Sequence, residues 1–248
     1  MIKVLLAGAA GAMGHVITEL IAAEPEMAIV AGYDISPVEA DYPVYDDLKK
    51  CEKADVIIDF SHYSAFDAIL DYAVETKTPL IEATTGLSET QLENLKKATA
   101  VIPVFKTANM SVGINVLAKA LKTLAADLGG FDIEIIEKHH NKKADAPSGT
   151  ALLLANAVNS GLSEEKNYIY GREGRSCKRT PDQIGIHAIR GGTIPGEHTV
   201  LFAGIDEIVE IKHTALSKKV FASGAIKAAA FLIEQPAGLY DMQDVIRN

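Results

Sequence analysis

The stretch Glu137-Lys138-His139-His140-Asn141-Lys142-Lys143-Ala144-Asp145-Ala146-Pro147-Ser148-Gly149-Thr150 gathers two histidines and three lysines in a chain whose formal charge is −9. Positive and proton-carrying groups concentrated in an acidic protein select an anionic ligand. The segment runs into an apolar helical pattern from Gly149 to Val158. The amides of Ser148, Gly149 and Thr150 therefore stand at a helix N-terminus, where they can hold a carboxylate with help from the two hydroxyls. Histidine gives and regains a proton near neutral pH, so the same loop also offers a general acid. His139 and His140 end a strand-like run, Phe131 to Lys138, and neighbours on a strand point to opposite faces and divide their roles. Glu137 and His139 share a face, as two metal ligands would, but no third ligand has suitable spacing and no metal is expected. A surface strand end with solvated charges would have the same composition.

A second chemistry-bearing motif lies at the start. The run Ile2 to Ala7 leads directly into Gly8-Ala9-Ala10-Gly11-Ala12-Met13-Gly14 and then into apolar residues at Met13, Val16, Ile17, Leu20 and Ile21, the stripe of a helix packed on a sheet. Strand, glycine loop and helix in that order suit a dinucleotide pyrophosphate. Glycine lets backbone approach the phosphates, and the helix N-terminus holds their charge. Asp34 lies 20 residues past Gly14 at the end of the next apolar run, where a carboxylate can accept the adenosine ribose hydroxyls. The spacing is G-x-x-G-x-x-G, so a turn of pure packing use and an ordinary solvated Asp34 remain alternative readings. Ala83-Thr84-Thr85-Gly86 and Thr107-Ala108-Asn109-Met110 each follow a strand-like run and so fall on the carboxyl edge where such sheets bind ligands. They are candidates for the nicotinamide end, or plain capped loops.

These residues need a sheet to position them. Ile2 to Ala7, Ala28 to Tyr33, Val56 to Phe60, Pro79 to Glu82 and Val101 to Phe105 read as buried strands that alternate with helical patterns, the rhythm of a parallel sheet. Helices are expected from Ala65 to Glu75, from Ser88 to Thr99 with Gln91 completing a capping box, and from Val112 to Leu128. Past Gly129-Gly130 a second region begins. Its later runs, Gln183 to Arg190, His198 to Ala203 and Glu207 to His213, are separated by Gly/Pro turns and suggest a mostly antiparallel meander. Lys219 to Glu234 reads as a helix returning to cover the first sheet.

With 248 residues, 48% hydrophobic and 23% charged, the chain has material for one large or two modest domains. Its acidity and the lack of a Lys/Arg stripe with interleaved aromatics argue against nucleic acid. No apolar run approaches the ~18 residues of a membrane span. Cys51 and Cys177 form no framework, which suits a reducing cytoplasm. The apolar run after Lys3 imitates a signal-peptide core, but it contains the spaced glycines and continues at helical spacing, so no cleavable segment is expected.

The chain resembles the dihydrodipicolinate reductases of bacterial lysine and diaminopimelate synthesis over almost its whole length. The resemblance is carried by G-A-A-G-A-M-G at Gly8 to Gly14, Asp59-Phe60-Ser61, Ala83 to Gly86, Ala108 to Gly113, the string H-H-N-K-K-A-D-A-P-S-G-T-A from His139, and Ile184 to Gly192. It implies an α/β fold: a Rossmann-type doubly wound parallel sheet from residues 1–109 and 217–248, with an inserted α+β domain, 110–216, for substrate binding, catalysis and tetramerisation. It further implies His139 as proton donor and Lys143 as second catalytic residue, with His140, Ser148, Gly149 and Thr150 binding a dicarboxylate substrate. Gly8, Ala9, Ala10, Gly11, Ala12, Met13, Asp34, Ala83, Thr84, Thr85, Thr107, Ala108, Asn109 and Met110 would bind NADH or NADPH. Where the family often carries Arg or Lys, this chain has Ala12, His15 and Ile35, and its Ala83 replaces the usual glycine. NADH is therefore expected to serve at least as well as NADPH. Another small-substrate dehydrogenase with an inserted domain, or a dinucleotide sensor without turnover, are the rival readings. The first would need no two-carboxylate pocket, and the second only the glycine loop.

Overall fold

Val4, Leu5, Leu6 and Ala7 are all fully buried, so the first strand, β1 (Ile2–Ala7), is covered on both faces, as the inner strand of a parallel sheet must be. In this computed structural model, which describes residues 1–36 and 38–247, α1 (Ala12–Ala22), β2 (Met27–Tyr33) and β3 (Val44–Tyr45) follow. Next come β4 (Val56–Asp59), α2 (Phe66–Thr76), β5 (Leu80–Glu82), α3 (Glu89–Ala98) and β6 (Pro103–Lys106). Ser88 caps α3 in a full capping box with Gln91, as its sequence predicts. The second unit holds α4 (Val112–Asp127), β7 (Asp132–His139), α5 (Gly149–Asn159), β8 (Asn167–Tyr170), β9 (Gln183–Arg190), β10 (Gly196–Ala203) and β11 (Ile208–Ala215). The chain then returns to the first with α6 (Lys219–Leu232), β12 (Gly238–Tyr240) and α7 (Met242–Arg247).

The chain divides into Met1–Ser111 with Lys218–Asn248, and Val112–Ser217. The first unit is a parallel sheet in the order β12-β6-β5-β4-β1-β2-β3. Strand order reverses between β1 and β4, and Ala7 and Asp59 face each other at the carboxyl ends there, the place where doubly wound sheets bind ligands. One side of the sheet is filled by Phe66, Ile69 and Ala73 of α2 and Leu95 and Ala98 of α3. α6 returns to this unit through Ala222, Ala225, Ala228 and Ala229, small side chains that let a helix lie close, and through Leu232.

The second unit is a five-stranded sheet, β11-β10-β7-β9-β8. Here the structure corrects the meander. β10 is antiparallel to β11 and β7, but β9 is parallel to both β7 and β8. The link from β9 to β10 passes over the end of β7, with the Gly191 amide donating to the His139 carbonyl and the Asn141 amide to the Gly192 carbonyl. Turn residues report where a chain reverses and cannot reveal that an earlier strand lies between. β3, β8 and β12 have no counterpart in the sequence reading, being too short for a period to show. Ile133, Ile135, Ile184, Val200 and Phe202 pack against Leu154 and Val158 of α5 and Leu121 of α4 to form this unit's core.

Candidate active site

In the first unit the glycine loop fits a phosphate for a steric reason. Gly8 has φ of 81°, and a Cβ there would lie 2.6 Å from the Phe60 carbonyl oxygen; one on Gly14 would lie 2.3 Å from that of Gly8. Only glycine allows α1 to start so close to β1 and β4. Asp34 is held in place: its Oδ2 accepts the Ala10 amide at 2.9 Å and its Oδ1 the Ser36 amide at 2.9 Å, which leaves lone pairs for a diol. Gly8, Gly11 and Asp34 line a cleft of about 370 Å³ together with Ile35, His62 and Ser64. A larger cleft of about 750 Å³ is lined by Met13, by Ala83 to Thr85 and by Thr107 to Met110. Phe60 and Ser61 line both. Of the expected cofactor residues, Ala9, Ala10 and Ala12 line neither cleft: Ala9 is buried beside Gly32 and borders a different depression with His15 and Tyr42, Ala10 is tied to Asp34 through its amide, and Ala12 is exposed at the start of α1.

In the second unit the geometry centres on a carboxylate. Burial along β7 alternates, with Glu137 and His139 inward and Lys138 and His140 outward, as adjacent residues on a strand require. Glu137, fully buried, accepts His139 Nδ1–H at 2.6 Å, the Ser148 amide at 3.0 Å and both Arg190 Nη groups at 2.7 Å. Burial alone would push its carboxyl up, but Arg190, His139 and the Ser148 amide outweigh it and hold it below the usual glutamate range. An ionised Glu137 fixes the Nδ1–H tautomer of His139 and leaves Nε2 for proton transfer. The His198 ring lies edge-on, 5.1 Å from that of His139. Burial, helped by the His139 charge, pushes His198 down to about 4, so it stays neutral. Lys143 is paired with Asp145 at 2.7 Å, and the Arg190 guanidinium donates to the Asp145 carbonyl at 2.7 Å, which ties the loop to β9.

Ser148 departs from its expected role. Its amide is taken by Glu137, and its hydroxyl accepts the Ala151 amide and meets His198 Nε2 at 3.0 Å, with the residue only 2% exposed. It builds the N-terminus of α5 instead of facing solvent. Gly149 is exposed at the first turn and Thr150 half-buried beside it. Arg190 and His198 were not singled out from sequence as parts of this constellation, and Glu137 only as sharing a face with His139; pairing across β7, β9 and β10 brings them together. Among the described residues, no group of three His, Cys, Asp or Glu side chains is placed to hold a metal ion.

A doubly wound sheet with a glycine cradle, joined to a unit carrying a buried carboxylate–histidine pair, defines a reductase of the dinucleotide-binding class. The family model described as Dihydrodipicolinate reductase, N-terminus, matches residues 2–110, and that described as Dihydrodipicolinate reductase, C-terminus, matches residues 113–246. A relative from Caldanaerobacter subterraneus subsp. tengcongensis, named 4-hydroxy-tetrahydrodipicolinate reductase, is 51% identical over 100% of this chain and 99% of its own. One of the same name from Exiguobacterium sibiricum is 51% identical over 94% of this chain and 92% of its own. The chain belongs to the dihydrodipicolinate reductase family. A solved dipicolinate-bound dihydrodipicolinate reductase from Paenisporosarcina sp. TG-14 shares the fold, with a TM-score of 0.78 at 23% identity over 97% of each chain.

Proposed function

We propose that this chain reduces a cyclic imine bearing two carboxylates, dihydrodipicolinate or its hydrated precursor, to tetrahydrodipicolinate in lysine and diaminopimelate synthesis, with NADH or NADPH as reductant. The observation that carries the reading is the Glu137–His139 pair at the end of β7, in a segment whose neighbouring residues, Lys143 and the first turn of α5, suit a carboxylate. The glycine cradle, the held carboxylate of Asp34 and the adjoining clefts fit a dinucleotide. Gly8, Gly11 and Asp34 would hold such a cofactor, which would supply hydride to C4 of the ring.

The remaining steps fall to side chains. The hydrated precursor must first lose its C4 hydroxyl as water; reduction at C4 of dihydrodipicolinate then leaves an electron-rich enamine that must gain a proton on the adjacent carbon, and His139 gives it from Nε2 while Glu137 stabilises the charged ring. Lys143, released from Asp145, and the amides of Gly149 and Thr150 hold a ring carboxylate, with His140 completing the pocket. Thr84, Thr85 and Asn109 steady the nicotinamide end of the cofactor. A cytoplasmic homotetramer assembled through the β8 to β11 sheet completes the proposal. Its test is nicotinamide fluorescence on binding, followed by the fall in reduced-nicotinamide absorbance on adding dihydrodipicolinate. Binding without oxidation would indicate a dinucleotide sensor, and oxidation with a substrate lacking two carboxylates another dehydrogenase.

A further inference from the structure

Asp59 and Glu82 end adjacent strands, face each other in register and are both fully buried. Each uses one oxygen to hold the amide two residues on: Ser61 N–H donates to Asp59 Oδ1 at 2.8 Å and Thr84 N–H to Glu82 Oε1 at 2.7 Å. Among the described residues, the other oxygens, Asp59 Oδ2 and Glu82 Oε2, have no hydrogen-bond partner; the groups beside them are the opposite carboxyl and the buried hydroxyls of Ser61 and Thr84, which bear on Asp59. Two bare carboxylates so placed repel, whereas one proton between them turns repulsion into a short, charge-assisted O–H···O bond. The segments they hold, Phe60–Ser61 and Ala83–Gly86, are walls of the larger cleft.

We propose that Asp59 and Glu82 share a single proton and act as positioning residues, their carboxyl–carboxylate bond fastening the two loops against which the nicotinamide end of the cofactor rests. The role of the loops rests on the cofactor reading above; the shared proton does not.

The surroundings favour the shared proton. Among the described residues, Lys106 of β6, in register with Glu82, is the cation that bears on the pair. α6 turns Ala222, Ala225 and Ala228 inward and keeps Lys219 and Lys227 exposed, while α2 and α3 pack with Phe66, Ile69, Leu95 and Ala98. Ala7 of β1 is in register with Asp59. Burial and then the Asp59 charge push Glu82 up to about 9 against the pull of Lys106, and burial raises Asp59 as well. Ionisation of the pair in alkali would drive the loops apart.

Glu82→Gln copies the protonated state without titrating: its carbonyl still accepts the Thr84 amide and its NH2 donates permanently to Asp59. A protonated-carboxyl infrared band is expected in wild type without cofactor at pH 7, fading through about pH 9, and absent from both Glu82→Gln and Asp59→Asn. The NADH dissociation constant of wild type, followed by fluorescence, should rise above that midpoint by up to about tenfold per pH unit, while that of Glu82→Gln changes less than about twofold between pH 7 and 10. A wild type without the band, or the same pH course of NADH binding in both proteins, overturns the proposal. If Glu82→Gln does not fold, the wild-type infrared titration and Asp59→Asn decide it. Failure of wild type to bind NADH at any pH would instead overturn the cofactor reading, with the infrared band still deciding the proton.

Discussion

Replacing Glu137 by glutamine keeps its volume and removes its charge at the point where the segment proposed to be catalytic is anchored. Glu137 accepts four N–H groups from three residues and is fully buried. A glutamine has one acceptor oxygen, and its NH2 must point at other donors, so Arg190 loses its counter-charge. Breaking a buried ion pair costs about 3–5 kcal/mol. Arg190 keeps contacts with the Asp145 and Ile189 carbonyls, and its side chain is 20% exposed, which places the loss near the lower end, about 3 kcal/mol. For a chain of this size that is roughly 6–12 °C in Tm. Relief of the clash by a flipped tautomer of His139 would put hydrogen on Nε2 and make Nδ1 the acceptor, so kcat should fall by ~10²- to 10³-fold. NADH affinity, measured by fluorescence, should stay within about twofold, since Glu137 belongs to the other unit. Because the folded carboxyl of Glu137 lies below its ordinary range, its contribution to stability is present above the unfolded value and is lost as pH falls through the folded one. The stability gap between wild type and Glu137→Gln should therefore close on acidification below about pH 4.3. An unchanged Tm together with a kcat within about twofold of wild type would refute the reasoning.

His139→Gln should lower kcat by ~10²- to 10⁴-fold with cofactor affinity nearly unchanged, and steady-state activity within a factor of about two of wild type would reject the proton-donor role. Near Asp34 the cleft offers Ile35, Ser36, His62 and Ser64 but, among the described residues, no Lys or Arg, and Lys50 is paired with Asp46, so a 2'-phosphate meets a carboxylate without strong compensation. kcat/KM for NADH should at least equal that for NADPH; a preference for NADPH above roughly tenfold, or ~1.4 kcal/mol, and fading with salt, would reveal an unsuspected cation. Ile208 of β11 is 65% exposed and Tyr170 of β8 is 63% exposed, apolar surface on the two edge strands that a homotetramer would cover. Light scattering at assay concentration should give a tetramer, and a monomer would contradict the assembly.

Local pattern carried much of this protein. Apolar runs, the glycine loop, the Ser88–Gln91 capping box and the opposed faces of His139 and His140 were all legible, because each depends on residues within one turn or one strand. The parallel first sheet was legible too, since strands buried on both faces are apolar without alternation. Pairing order was not: β7 separates β9 from β10, and nothing local to either run reports what lies between. The same limit applies to the sites. Arg190 and Glu137 stand 53 residues apart, Ser148 and His198 stand 50 apart, and the Asp59–Glu82 contact exists only because β4 and β5 end side by side. Ser148 shows the converse, where a residue suited by type and position to bind a ligand is taken up by Glu137, Ala151 and His198. Residue types and their local spacing set which chemistry is available; which groups meet, and which are already satisfied, is decided by the long-range pairing of strands, because burial obliges each polar group to take the partner the fold puts beside it.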